Sequence, residues 1–158
     1  MRNLFNLNAI LLIIFPAILS PGCKKHPVDC CTIVDIDISV YLTDSTGHDL
    51  LNPANPGSFN KEDITVYYVK ESDGKSVLSE QNNFNIYSDS HSYFLYLFPY
   101  DDKLVYHPLT LIEWKKYNTD TLMCDFQRTE NKDICTEIWL NGDQVWLAGT
   151  PRAIHIVK

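Results

Sequence analysis

The sequence predicts an all-β domain, an antiparallel β-sandwich of about seven to nine strands, behind an export signal. Three observations carry this. Short runs rich in Val, Ile, Tyr, Phe and Trp alternate apolar with polar residues. Turn residues punctuate them at close spacing, the pattern of a sandwich or barrel and not of βαβ units. After the leader, no segment holds a helical period.

Taken in order, Met1 to Asn8 carries one basic residue, Arg2, and no acid, and the eleven residues Ala9 to Leu19 (AILLIIFPAIL) are all apolar. That run is too short to span a bilayer, which takes roughly 20 residues, and it suits the apolar region of a secretory signal. Ser20-Pro21-Gly22-Cys23 follows, small residues closing on a cysteine. The motif resembles the lipobox of bacterial lipoproteins. The resemblance implies cleavage before Cys23, a diacylglycerol thioether on its sulfur and an acylated new N-terminus; two or more acyl chains are what stable anchoring requires. The expected layout is a signal peptide over residues 1–22, a lipidated tether over 23–31 and one β-sandwich domain over 32–158.

The domain opens with VDIDISVYL, in which Val34, Ile36, Ile38, Val40 and Leu42 share one strand face and Asp35, Asp37 and Ser39 the other. DSTGHD turns the chain, and NPANPGS (52–58) is a loop by its prolines and glycine. Further strands are expected in ITVYYVK, SVLSE, FNIYS, SYFLYLF, LVYHPLTLIEWKKY, DTLMCDFQR, ICTEIWLN and QVWLA. An immunoglobulin-like or transthyretin-like arrangement accommodates this count.

In WLNGDQVW, Asn141-Gly142 suits a two-residue type I′ turn. Leu140 then pairs with Asp143 and Trp139 with Gln144, which places Trp139 and Trp146 on one face, a candidate ligand platform for stacking on a sugar ring. In the preceding hairpin, a loop centred on Thr129-Glu130 sets Cys124 opposite Cys135, a candidate cross-strand disulfide worth about 2–3 kcal/mol. The alternative joins Cys30 or Cys31 to Cys124 or Cys135, stapling the first strand to the last hairpins. These pairings turn Cys135, Trp139 and Trp146 inward and leave Ile134, Ile138, Leu140, Val145 and Leu147 outward, too apolar for open water. Burial on both faces, a bulge, or a bound partner would each resolve the conflict.

The chain's net charge is −7, and removing the leader takes away Arg2 and no acid. Such acidity excludes nucleic acid as a partner, since phosphate binding needs clustered Lys and Arg. It also makes the domain stand off an anionic leaflet, with Lys24 and Lys25 nearest to it. The spacing of His26, Cys30 and Cys31 matches no usual zinc pattern, so no metal and no cofactor is expected. His48, His91, His107 and His155 are scattered, SDSH (88–91) reads as a turn, and Asp44, Asp49, Asp101 and Asp102 read as solvated turn acids. No phosphate loop, HExxH or GxSxG is present.

SPGC, the loop DLLNPANPGSF (49–59) and the closing CTEIWLNGDQVW (135–146) together resemble the small single-domain lipoproteins of Bacteroidota-type bacteria. The resemblance implies attachment to the outer membrane through Cys23. Lys24, Lys25, His26 and Pro27 stand where surface-displayed members carry acids, so the periplasmic face and the cell surface both stay open. The expected role is a non-catalytic binding or structural module with a protein or glycan partner. The alternative is an extracytoplasmic hydrolase.

Overall fold

The alternating run that opens the domain does not stay in one sheet. In the computed structural model, which describes residues 32–158 except 73, 74, 82, 83 and 116, this run breaks at Ile36-Asp37. The signal segment, Cys23, the tether, Cys30 and Cys31 lie outside the described residues. β1 (Ile33–Asp35) pairs in parallel with β9 (Lys132–Leu140), and β2 (Ile38–Thr43) enters a different sheet. Ile36 is buried at the crossing while Val34 is exposed, so the one-face alternation holds only from Ile36 onward.

Seven strands make the larger sheet: β1, β9, β8 (Asp120–Thr129), β7 (Leu109–Trp114), β3 (Ile64–Ser72) and β4 (Lys75–Gln81) in that order, with β10 (Asp143–Leu147) also on β9. β8 lies along one edge of β9. β1 and β10 share the other, β1 against Lys132–Ile134 and β10 against Glu137–Leu140. The smaller sheet runs β11 (Ala153–Val157), β2, β6 (Tyr93–Leu97) and β5 (Phe84–Ser88), with β11 parallel to β2. Both sheets are therefore mixed, and the described residues form eleven strands rather than seven to nine antiparallel ones. The extra strands are β1, split off at Ile36, and β11, whose AIHIV segment was not singled out in the sequence. LVYHPLTLIEWKKY is strand only from Leu109, because Pro108 follows a His107 of positive φ (53°).

One buried core draws on both sheets. Ile38, Val40, Leu42, Leu95, Leu97, Ile154 and Ile156 come from the smaller, and Ile64, Val66, Ile112, Trp114, Leu122, Cys124 and Ile138 from the larger. Burying an aliphatic side chain of this size stabilises the fold by about 1.5–3 kcal/mol, so core burial dominates its energetics.

Two bulges decide which way the C-terminal hairpins face. In β9 the register passes from Asp125 opposite Glu137 to Phe126 opposite Cys135, leaving Thr136 unpaired; in β10 it passes from Gln144 opposite Trp139 to Trp146 opposite Ile138, leaving Val145 unpaired. The Asn141-Gly142 turn forms as expected, with φ of 54° and 95° and Leu140 opposite Asp143. Past it, the Val145 bulge inverts parity. Trp146 is buried, while Trp139 stays on the other face opposite Met123. Ile138 is in the core and Leu140 packs against it, so the outward apolar face reduces to Val145 and Leu147, with Ile134 half-buried.

Candidate functional site

Alternation in the smaller sheet buries Ile38, Val40, Leu42, Leu95, Leu97, Ile154 and Ile156, with Phe84, and turns a set of rings outward. β6 reads Phe94, Tyr96 outward and Leu95, Leu97 inward; Tyr41 on β2, Tyr87 on β5 and His155 on β11 share the outward face. Strand register then does something no single strand reveals. His155 lies opposite Tyr41, Val40 and Leu95 are partners so that Tyr41 and Phe94 are level, and Phe94 lies opposite Tyr87. The four rings form a row crossing all four strands, with centroid separations of 5.0, 5.6 and 6.2 Å. The first pair is stacked, its planes 17° apart. Tyr96 meets Tyr87 edge-on at 5.8 Å and Phe98 meets Tyr96 edge-on at 5.4 Å, extending the patch along β6. Tyr87 is 50% exposed, so the far end of the row is open to solvent.

Polar groups border the row. Tyr41 donates its hydroxyl hydrogen to Asp89 Oδ2 at 3.3 Å, and Asp89 Oδ1 accepts the backbone N–H of His91 and of Ser92, each at 2.8 Å. Those two backbone bonds hold the Asp89 carboxyl below its ordinary pKa. The SDSH segment is thus a turn, in which Ser90 Oγ and His91 Nδ1 lie 2.7 Å apart. Desolvation, and then the Asp37 carboxylate, push the Tyr96 phenol upward. At the β2 end a cleft of about 390 Å³ is lined by Asp35, Asp37, Ser39, Tyr41, Trp146 and Arg152. Arg152 Nη1 donates to Asp35 Oδ1 at 2.8 Å and to the Asp37 carbonyl at 2.9 Å, and its guanidinium lies 5.1 Å from the Trp146 ring centroid.

The two expected platform residues do not meet. Trp146 Nε1 donates to the Thr150 and Pro151 carbonyls from within the core, and Trp139 stands edge-on to His107 at 5.9 Å on the opposite face of the sheet. Nor are Cys124 and Cys135 bonded: both are free thiols. The turn falls at Glu130-Asn131, one residue later than expected, and the Thr136 bulge adds another step, so Cys124 opposes Ile138 and Cys135 opposes Phe126. The two thiols are neighbours in the core, where Cys135 Sγ donates to the Glu137 carbonyl, and the nearby Cys135 sulfur together with burial pushes the Cys124 thiol well up.

A second cleft, of about 490 Å³, lies under the loop 103–108. His107 Nδ1 pairs there with an Asp125 carboxylate oxygen, Lys103, Tyr106 and Arg128 stand at the rim, and buried Cys124 is at the base. Among the described residues no group of three or more His, Cys, Asp or Glu side chains is placed to hold a metal ion. The turn acids organise loops: Asp44 accepts the Thr46 and His48 amides, Asp49 those of Leu51 and Tyr93, and Asp102 that of Leu104.

Comparison with known proteins finds no family model, no curated protein and no solved structure that matches this chain. The site is therefore read from its own chemistry. One signal for the row was present in the sequence: FLYLF (94–98) sets rings and leucines on opposite faces of one strand.

Proposed function

We propose that this chain is a non-catalytic binding module of the cell envelope, a β-sandwich held at the outer membrane by lipid on Cys23, and that it takes an uncharged glycan chain on the His155–Tyr41–Phe94–Tyr87 row. The in-register row is the observation that carries the reading. Flat rings at this spacing suit the apolar faces of consecutive pyranose units, since an aromatic face combines a large apolar area with attraction for C–H groups. Asp37, Asp89 and Asn85 border the rings with acceptors for sugar hydroxyls. The surplus of acid, locally and in the whole chain, disfavours a polyanionic ligand.

Affinity electrophoresis of the chain from Lys24 onward in gels cast with neutral and with anionic polysaccharides tests this. The neutral polymer is expected to retard the chain, and Tyr41→Ala or Phe94→Ala to weaken retention about tenfold, the equivalent of about 1.4 kcal/mol. Equal retention of parent and both variants, or none by any neutral polymer, sinks the reading.

An extracytoplasmic hydrolase is the second reading, favoured by the His107–Asp125 pair in its cleft. It requires a turnover that His107→Ala abolishes while folding is retained.

A further inference from the structure

We infer that the loop 103–107 is a membrane-docking element: Leu104 and Tyr106 rest in the headgroup layer of the phospholipid bilayer that holds the anchor. The inference rests on the lipid-anchor part of the reading above and is independent of the glycan part.

Leu104 is 95% exposed and Tyr106 85%. Scattered apolar residues on a surface need no explanation, but these two project side by side from one loop. Polar contacts hold the loop outward. Lys103 Nζ lies 2.9 Å from Asp133 Oδ2, Arg128 Nη1 donates to the Asp101 carbonyl at 2.7 Å, the Leu104 amide donates to Asp102 Oδ1 at 2.9 Å, and His107 pairs with Asp125. None of these bonds uses the Leu104 or Tyr106 side chain; the Tyr106 ring packs against the His107 ring, centroids 3.8 Å apart, and is still 85% exposed.

Their position says what they face. Asp133, which holds Lys103, is the register partner of Val34, and the Ile33 amide donates to the Asn131 carbonyl at 3.0 Å. Ile33 and Val34 are themselves each 57% exposed. The loop thus stands at the end of the domain where the chain arrives from Cys23. Nine residues, 24–32, separate Cys23 from Ile33. At 3.3–3.6 Å per residue they reach at most about 35 Å, so a lipid on Cys23 holds this end within that distance of the bilayer. The opposite end is farther away: β8 alone is ten residues long, roughly 33 Å, and Val157 adjoins Lys158, whose Nζ is 2.7 Å from Asp120 Oδ2 at the start of β8. A leucine and a tyrosine are suited to the interface, the ring placing an apolar body in the boundary and its hydroxyl in water. With the acidic body standing off the leaflet, Leu104 and Tyr106, the most exposed apolar side chains of this end, set its orientation.

The full-length lipidated chain, reconstituted in phosphatidylcholine vesicles with doxyl-labelled lipid, provides the test. Leu104→Trp and Val157→Trp each add one indole at an exposed position, so neither is expected to disturb folding, and the added fluorescence is read against the parent. Trp emission added at position 104 is expected to shift blue and lose most of its intensity to the doxyl group, while that added at 157 stays unquenched. If the protein floats with the vesicles but neither position is quenched, or both are quenched alike, the docking inference is overturned and the anchor stands. If the chain does not float at all, the anchor reading and the docking fall together.

Discussion

Lys158 closes onto Asp120 across the two sheets. Its Nζ lies 2.7 Å from Asp120 Oδ2, and both side chains are more than nine-tenths removed from solvent. The same carboxylate accepts Trp114 Nε1 at 2.7 Å and Asn141 Nδ2 at 2.9 Å, so one acid ties β11, β7 and the β9–β10 turn to the first residue of β8. Removing a single partner from such a pair leaves a charge buried and uncompensated. Lys158→Met is expected to lower stability by about 3 kcal/mol, read as a drop in the urea midpoint at unchanged slope. A loss below about 0.5 kcal/mol would mean that water reaches Asp120 freely.

The two bulges make a prediction about the indoles. Trp146 is core and Trp139 lies on the other face, half-buried beside His107. In Trp114→Phe protein, acrylamide is expected to quench Trp139 more strongly than Trp146, as resolved by also replacing each with Phe. Deleting Val145 removes the unpaired residue and leaves Trp146 opposite Ile138 on the core side, so Trp146 is expected to stay the less quenched indole in the deletion variant. Equal quenching of both indoles would show that the bulge does not form.

Cys124 and Cys135 give a chemical readout of the same register. Both thiols are buried, and Cys124, whose pKa is raised by its sulfur neighbour and by burial, is a poor nucleophile at neutral pH. In a Cys30→Ser, Cys31→Ser chain beginning at Lys24, an aromatic disulfide reagent is expected to find almost no reactive thiol in buffer and both in denaturant. Full resistance in denaturant would instead reveal a disulfide.

Several surface carboxylates have depressed pKa values: Asp44 through Thr46 and His48, Asp89 through the His91 and Ser92 amides, Asp102 through the Leu104 amide. A carboxylate whose folded pKa lies below its unfolded value of about 3.9 contributes stability that is present above that value and is lost as pH falls through the folded pKa. From these groups, stability is expected to be flat from neutral pH to about 4 and to decline below it. Asp89→Asn should make the acid limb shallower in urea titrations taken at successive pH values; an unchanged limb would mean that its backbone bonds are equally available unfolded.

The strand positions were legible in the sequence because inward burial imposes a period of two wherever one face meets a core, as in Ile38, Val40 and Leu42. Pairing was not, because partner choice depends on contacts distant in sequence. β1 and β2 read as one strand until Ile36 is seen to cross between sheets, and the parallel partners of β1 and β11 lie about a hundred residues or more away. Thr136 and Val145 carry no composition that marks a bulge. Each reverses every facing beyond it, and so the disulfide and the tryptophan platform failed together. The aromatic row was hidden for a related reason. Residues 41, 87, 94 and 155 become neighbours only once three registers are known.

The shared edge of β9 gives the domain a mechanical asymmetry. Tension entering through Thr32 is met first by β1, three residues held against β9 and braced by Arg152 on Asp35. Behind it, Ile36 is buried in the crossing, and β2 sits inside the smaller sheet between β11 and β6. A tug on the N-terminal side can therefore peel β1 away like a breakaway tab, releasing a few residues, while β10 keeps its own portion of the edge and the outward rings remain assembled.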